Sequence, residues 1–147
     1  MNPWHIGEIL IRKKLIDWEQ LEVALGEQRL TREFVGEVLV RKKFIPKYLL
    51  FKALAERHSM PFVDLTRVFI DPRAVERVPK SIAVKFGCIP IELQAGNLVL
   101  GVSDPSGTVL PVNEIGEMAR VSGVKTVLCT PEAVTAAIDQ NYGALAD

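Results

Sequence analysis

The sequence predicts an α+β chain in which a duplicated unit of four short helices packs with a small mixed sheet flanked by helices. Residues 5–16 (HIGEILIRKKLI) return as residues 34–45 (FVGEVLVRKKFI), and the similarity continues to residues 28 and 57. Apolar residues follow a helical period up to about residue 60, and short strand-like apolar runs separated by turns come after it. We therefore expect a helical domain at 1–60, with repeats at 5–28 and 34–57, and an α/β subdomain at 61–147.

Each repeat should form two helices. The first helix places its apolar residues on one face and should end near the basic run of residues 12–14. Asp17 is then a suitable N-cap, and Gln20 three residues later completes a capping box for the second helix. The second copy has Pro46 at the position of Asp17, which fixes φ but supplies no cap. Four short helices result, and residues 29–33 join the two helix-turn-helix units.

The second half of the chain alternates short strands and helices. Ser59, Met60 and Pro61 break the helical pattern and place the domain boundary. The expected elements are a strand at 62–65, a helical turn at 71–75, a helix from Pro79 to Gly87, a β-hairpin of strands 88–93 and 97–102, a turn at 104–107, a helix at 109–121, a strand at 125–129 and a helix from Thr130 to Tyr142.

Composition excludes several classes of protein. Eighteen basic and 18 acidic residues cancel, so overall charge does not drive the chain onto DNA or anionic lipid. No apolar run approaches the roughly 18–20 residues that span a bilayer, and no signal-peptide pattern is present. Cys88 and Cys129 lie in apolar, strand-like runs and are expected to be reduced and buried. We expect a cytoplasmic protein, or a cytoplasmic part of a larger one.

The sequence contains no catalytic or metal-binding motif. It has no GxxxxGK[ST] phosphate loop, no CxxC pair, no HExxH and no GxSxG. His5 and His58 are its two histidines, and each is expected to be a surface or helix-end residue. We therefore expect a chain that is not itself an enzyme.

The basic runs at residues 12–14 and 41–43 recur at equivalent positions and allow three interpretations. They can be cations at helix C-termini, facing the negative end of the helix dipole. They can also form a paired basic rim for phosphates or for an acidic partner. The third interpretation is a DNA-binding helix-turn-helix protein. Zero net charge and the placement of the runs at helix ends both disfavour it.

Gly7 and Gly36 stand near the start of equivalent apolar helices. A missing side chain there lets a ligand or another backbone approach closely. Packing of one repeat against the other explains the glycines equally well, and the sequence leaves both explanations open.

The repeat resembles the pattern RLGxxLVxxGLIxxxQLxxALxxQ, duplicated with a five-residue spacer, that marks the N-terminal domain of type II secretion and type IV pilus assembly ATPases. The copies here are residues 5–28 and 34–57, with residues 29–33 as the spacer. Features of the second half are similar to the same family: residues 61–65, the helix at Val78-Pro79, the turn at Asp104-Pro105, the helix start at 130–132 and its end at 141–143.

Some members of that family bind cyclic di-GMP, with each repeat holding half of the ligand. The resemblance implies ligand contacts, with apolar walls flanking the purines and glycines meeting the ligand by their backbone. The matching positions are Gly7, Leu10, Leu21, Leu25, Gln28, Gly36, Leu39, Leu50 and Leu54, and Lys14 and Lys43 are candidate contacts for phosphates. No other cofactor and no metal is expected.

The sequence departs from the pattern where a guanine would be recognised. The leading arginine is replaced by His5 and Phe34, and the internal glycine by Lys14 and Lys43. Losing a guanidinium contact removes roughly 1.5–3 kcal/mol per site. We therefore expect a non-catalytic regulatory or docking domain that couples partner binding to the motor, with a cyclic di-GMP sensor of degenerate motif as the alternative. The resemblance implies a membrane-anchored assembly protein and the ATPase motor domain as partners.

Overall fold

The computed structural model describes the backbone of residues 3–104 and 110–142, and its side chains from Ile6 onward within those ranges. The chain divides into two units, Met1–Arg57 and His58–Asp147. The boundary predicted after residue 60 lies three residues beyond the observed one, which follows Arg57. Each unit is described below by itself.

The first unit consists of four helices, as predicted: α1 (Pro3–Arg12), α2 (Trp18–Thr31), α3 (Val35–Arg41) and α4 (Lys47–Arg57). The first helix of each repeat packs mainly against the second helix of the other repeat, α1 on α4 and α3 on α2. Buried side chains of both repeats form one continuous core. The two repeats are therefore interlocked, and neither buries its apolar face alone.

The helix starts in this unit confirm the capping predictions. The Asp17 carboxylate accepts a hydrogen bond from the backbone N–H of Gln20 (2.8 Å), and the Gln20 side chain accepts one from the backbone N–H of Asp17 (3.0 Å). At α4 the Pro46 carbonyl accepts hydrogen bonds from Leu49 and Leu50, both at 3.2 Å. Pro46 thus begins the helix through its backbone alone.

The first helix of each repeat ends in the same left-handed motif. Lys14 and Lys43 have φ values of 60° and 62°. The N–H that follows each lysine bonds five residues back, Leu15 to Leu10 (3.0 Å) and Phe44 to Leu39 (2.9 Å). This is the Schellman arrangement, in which glycine is the favoured left-handed residue. The two lysines therefore occupy a backbone conformation that strains any residue with a side chain.

The second unit contains the short turn η1 (Leu65–Arg67), α5 (Pro72–Val75), α6 (Lys80–Phe86), β1 (Cys88–Gln94), β2 (Asn97–Val102), α7 (Val112–Ala119), β3 (Gly123–Leu128) and α8 (Pro131–Tyr142). Its sheet has the order β1-β2-β3, antiparallel between β1 and β2 and parallel between β2 and β3. The α+β class and the mixed sheet are confirmed.

The predicted hairpin is confirmed, with a shorter turn. Gln94 pairs with Asn97, so the turn contains only Ala95 and Gly96. Their φ values of 49° and 85° are the two positive values that a type I′ turn requires. The predicted three-residue turn is therefore one residue too long.

The predicted strand at 62–65 is wrong. Phe62 makes one isolated parallel bridge to Leu128. The Asp64 carboxylate accepts hydrogen bonds from the backbone N–H and the hydroxyl of Thr66, at 3.0 and 2.6 Å. This local bond bends the chain into the 3-10 turn η1 and ends the extended segment after Val63.

The other helices of this unit largely agree with the predictions. Asp71 caps α5, and Gly87 ends α6 in the left-handed conformation. Thr130 caps α8 by accepting from the N–H of Ala133 (3.3 Å). The predicted helix 109–121 is shorter, Val112–Ala119, because Pro111 is its N-cap and the left-handed Arg120 ends it. The predicted turn at 104–107, residue 109 and the motif's Gly143 lie wholly or partly outside the described residues.

Both faces of the sheet are covered. Ile89, Val99 and Val127 lie in a cluster with α8, and Leu98 and Leu100 lie in a second cluster with α7. This burial fixes the strands between two helical layers, as expected for a small α+β unit.

Candidate ligand and docking surface of the helical repeats

Gly7 and Gly36 each receive a leucine from the second helix of their own repeat. A methyl group at Gly7 would lie 2.7 Å from Leu21 Cδ1, and one at Gly36 would lie 2.9 Å from Leu50 Cδ1. Neither distance leaves room for a side chain. The glycines therefore allow close packing of the two helices within each repeat. This differs from both explanations offered by the sequence, which were close approach of a ligand or backbone and packing of one repeat against the other.

Most of the predicted ligand-contact positions lie inside the shared core. Leu10, Leu21, Leu25, Leu39 and Leu50 are buried, as are both glycines. Gln28 and Leu54 are the two predicted contacts that remain partly exposed. The assignment of these positions to a ligand stays a prediction. In this conformation a ligand could not contact the buried leucines directly, and they would only support the residues that it does contact.

The basic run of the second repeat is joined to acidic residues of the first repeat and the spacer. Lys42 Nζ lies 3.1 Å from Glu27 Oε2, and Arg41 Nη2 lies 3.3 Å from Glu27 Oε2 and 2.9 Å from Glu33 Oε1. Hydrogen bonding to Lys42 lowers the pKa of Glu27, and hydrogen bonding to Arg41 lowers the pKa of Glu33. These cations are therefore already neutralised within the fold.

The same contact is present in the opposite direction. Lys13 of the first basic run pairs with Glu56 of the second repeat. Lys13 and Glu56 correspond to Lys42 and Glu27 in the repeat alignment. Cross-repeat pairing thus explains part of each basic run, because Lys13, Arg41 and Lys42 are paired within the fold.

Lys14 and Lys43 are exposed, and neither forms an ion pair within residues 3–104 and 110–142. Lys14 borders an open depression of about 430 Å³ at the α1–α2 turn. Its other lining residues are Ile11, Leu15, Ile16, Asp17, Trp18 and Gln20. The depression is mostly apolar with one cation and one carboxylate, and Lys14 remains available for an anion.

Phe34 stands where the resemblance places an arginine. It is the N-cap residue of α3, makes no side-chain cap and is 69% exposed. The side chain of His5, its counterpart, lies outside the described residues. An exposed phenyl ring can bury apolar area against a partner, but it cannot donate hydrogen bonds to a guanine.

Further large apolar side chains are exposed on this unit, and the sequence reasoning did not single them out. They are Trp18, Val23, Leu30 and Tyr48. A helical-wheel count of α2 and α4 would have found Val23, Leu30 and Tyr48, because they lie opposite the buried leucines.

The two cysteines of the second unit are buried and unreactive. Cys88 and Cys129 are free and buried, as predicted, and burial raises the pKa of Cys88 to about 11 and that of Cys129 to about 12. Among the described residues no group of three His, Cys, Asp or Glu side chains could hold a metal ion. In the same part of the chain no helix is long and apolar enough to cross a membrane.

Comparison with known proteins identifies relatives of both units. The MshEN domain model matches residues 58–147. The type IV pilus assembly ATPase PilB of Thermus thermophilus is 39% identical over 101 residues, which are 68% of this chain and 11% of that protein. PilB of Myxococcus xanthus is 26% identical over 137 residues, 93% of this chain and 24% of that protein. The chain thus corresponds to a small part of each of these relatives.

Solved structures agree with the fold. A structure of MshE with cdg, cyclic di-GMP, matches with a TM-score of 0.78 at 25% identity, covering 93% of this chain and 98% of that one. The N-terminal domain of XpsE matches with a TM-score of 0.63 at 15% identity, over 92% of both chains, and supports the fold alone.

The family model covers more than half of the chain, and the MshE match extends over both units. The predicted relationship is confirmed, and the DNA-binding alternative receives no support from these relatives. MshEN domains are the regulatory N-terminal domains of type II secretion and type IV pilus ATPases such as MshE, XpsE and PilB, and they are distinct from the ATPase domains of those proteins. This chain belongs to the MshEN domain family.

Proposed function

We propose that this domain docks on the cytoplasmic region of a membrane-anchored assembly protein and couples that contact to an ATPase motor domain, in cis or in trans. It acts in the cytoplasm and reaches the inner membrane only through its partner. It carries no catalytic step, needs no cofactor and binds no nucleic acid. The relationship to PilB, a type IV pilus assembly ATPase, supports this assignment.

Phe34 is the observation that carries the docking proposal. Its ring is 69% exposed at the start of α3, at the position where the family pattern has an arginine. An exposed aromatic side chain is a common anchor of protein interfaces, because it buries a large area at low entropic cost. The substitution exchanges a hydrogen-bonding group for an apolar one and so favours a protein surface over a guanine base.

Retained binding of cyclic di-GMP is the second candidate. The match to MshE with cyclic di-GMP favours it. The ligand would meet Gln28 and Leu54 directly, while the phosphates would meet Lys14 and Lys43. Loss of two arginine contacts, each worth roughly 1.5–3 kcal/mol, would lower affinity by about two to four decades. Docking is therefore the function we place first.

Binding between this chain and the partner's cytoplasmic region, measured by calorimetry, tests the proposal. Phe34→Ala should weaken binding at least tenfold, and Tyr48→Ala, which removes an exposed aromatic elsewhere on the unit, should leave affinity unchanged. Circular dichroism would verify that both variants fold. Equal affinity of Phe34→Ala and the unmodified chain would remove Phe34 from the interface and contradict the proposal.

A further inference from the structure

The outer face of α2 is an apolar stripe that the first unit leaves uncovered. Val23 is 49% exposed and Leu30 is 86% exposed. Gly26 lies between them on the same face, because positions 23, 26 and 30 are three, four and seven residues apart on a helix. These side chains point away from the buried Leu21 and Leu25.

Gly26 has no role in the packing of the described chain. A methyl group at this position would meet no atom within 4 Å. Glycine in a helix interior is less stable than alanine. The absent side chain therefore leaves a flat surface at the middle of the stripe, where another helix could approach closely.

Charges along this face are arranged with opposite signs at its two ends. Glu22 lies in the N-terminal half and Arg29 two turns later on the same flank, both exposed. Neither Glu22 nor Arg29 forms an ion pair within the described part of the chain. The face is acidic at its start, apolar and flat at its centre, and basic at its end.

This order makes the face complementary to itself. If two α2 helices pack antiparallel and cross at Gly26, Glu22 and Val23 of one copy lie opposite Arg29 and Leu30 of the other. A two-fold axis perpendicular to both helices places the same flank of the two helices on the same side of the interface. Glu22 of each copy then faces Arg29 of the other, so the contact forms twice. A parallel arrangement would place like charges together.

We propose that the uncovered face of α2 is a homodimer interface, in which a second copy of this chain packs antiparallel with Glu22 facing Arg29. The contact area is that of one helix pair, so the dimer is weak and its population depends on concentration. This assembly is separate from partner docking through Phe34.

Sedimentation equilibrium of the 147-residue chain tests the interface. The unmodified chain should show a monomer–dimer equilibrium in the micromolar to millimolar range. Leu30→Lys should raise the dimer dissociation constant at least tenfold, and Lys52→Glu, at the α4 position equivalent to Val23, should not change it. Circular dichroism of each variant checks that it is folded.

Charge reversal distinguishes this pairing from any other contact. Glu22→Arg and Arg29→Glu should each abolish self-association alone, because like charges then face each other. An equimolar mixture of the two should associate, and the double variant Glu22→Arg/Arg29→Glu should dimerise again. A chain that stays monomeric at every concentration, or a dimer that persists in Leu30→Lys or in either charge variant, would overturn the proposal and leave the docking function untouched.

Discussion

Lys42 Nζ lies 3.1 Å from Oε2 of Glu27, so the basic end of one repeat binds an acidic residue of the other. The equivalent residues of the opposite repeats, Lys13 and Glu56, form the same pair. Together with the shared core, the two ion pairs make the repeats a pseudo-symmetric unit. A residue pattern that suggested an anion-binding rim is thus used partly to hold the repeats to each other.

The ion pairs of Glu27 predict a pH dependence of stability. Hydrogen bonding to Lys42 lowers the pKa of Glu27 in the folded state, so the pair stabilises the unit above the ordinary glutamate pKa and is lost as pH falls through the lowered value. Thermal unfolding between pH 7 and pH 3 should show a smaller acid destabilisation for Glu27→Gln than for the unmodified chain. The matched variant Glu8→Gln, which removes an exposed carboxylate without such a pair, should keep the original pH profile. Identical profiles for all three proteins would contradict the role of Glu27.

Two helical glycines should respond oppositely to alanine. Gly36→Ala brings a methyl group to 2.9 Å from the buried Leu50. The variant should be less stable by about 1 kcal/mol, because overpacking outweighs the gain in helix propensity. Gly26→Ala meets no atom and should stabilise it by about 0.5–1 kcal/mol. Urea denaturation measures both effects. Stabilisation by Gly36→Ala would show that Leu50 moves aside freely.

Restoring glycine at the left-handed helix end should stabilise the second repeat. Lys43 has a φ of 62°, which costs a residue with a side chain roughly 1–2 kcal/mol, while glycine loses 0.5–1 kcal/mol more entropy on folding. Lys43→Gly should therefore raise the free energy of unfolding by about 0.5–1 kcal/mol. Lys52→Gly, inside α4, is the control and should lower it by about 1 kcal/mol. Destabilisation by both variants would contradict the assigned helix end.

The hydroxyl of Tyr142 should be a measurable part of the second unit's stability. It is buried and lies 2.8 Å from the carbonyl oxygen of Val78 and 3.2 Å from that of Val75, so it ties the end of α8 to α5. Tyr142→Phe leaves the buried Val78 carbonyl without this bond, whereas the Val75 carbonyl still accepts from the backbone N–H of Val78 (3.3 Å). The substitution should cost about 1–2 kcal/mol in chemical denaturation. Tyr48→Phe changes an exposed ring and should alter stability by less than about 0.5 kcal/mol. An unchanged midpoint for Tyr142→Phe would contradict this contribution and show that water satisfies the Val78 carbonyl.

Elements specified by neighbouring residues were predictable from the sequence. The Asp17–Gln20 capping box, the left-handed end at Gly87 and the hairpin turn before Asn97 each depend on groups within a few residues. The strand predicted at 62–65 failed for a local reason as well, because Asp64 offers Thr66 a bond that competes with strand pairing. A short apolar run alone does not reveal that competition.

Contacts between distant residues were not predictable in the same way. The Gly7–Leu21 and Lys42–Glu27 contacts require the relative placement of two helices, which periodicity does not supply. The motif identified Gly7 and Leu21 as important, yet it could not distinguish a packing role from a ligand role. Phe34 was noted as a departure from the family pattern, and only the structure shows that its ring is exposed.

We propose that this domain docks on a protein partner and has lost useful affinity for cyclic di-GMP. Calorimetric titration of cyclic di-GMP into the unmodified chain distinguishes the two functions, with the His5→Arg/Phe34→Arg double variant titrated in parallel. We expect no measurable binding by the unmodified chain and recovered binding by the double variant, because the two arginines return the guanine contacts. Binding at micromolar affinity or tighter by the unmodified chain would contradict the claim and make the domain a second-messenger sensor.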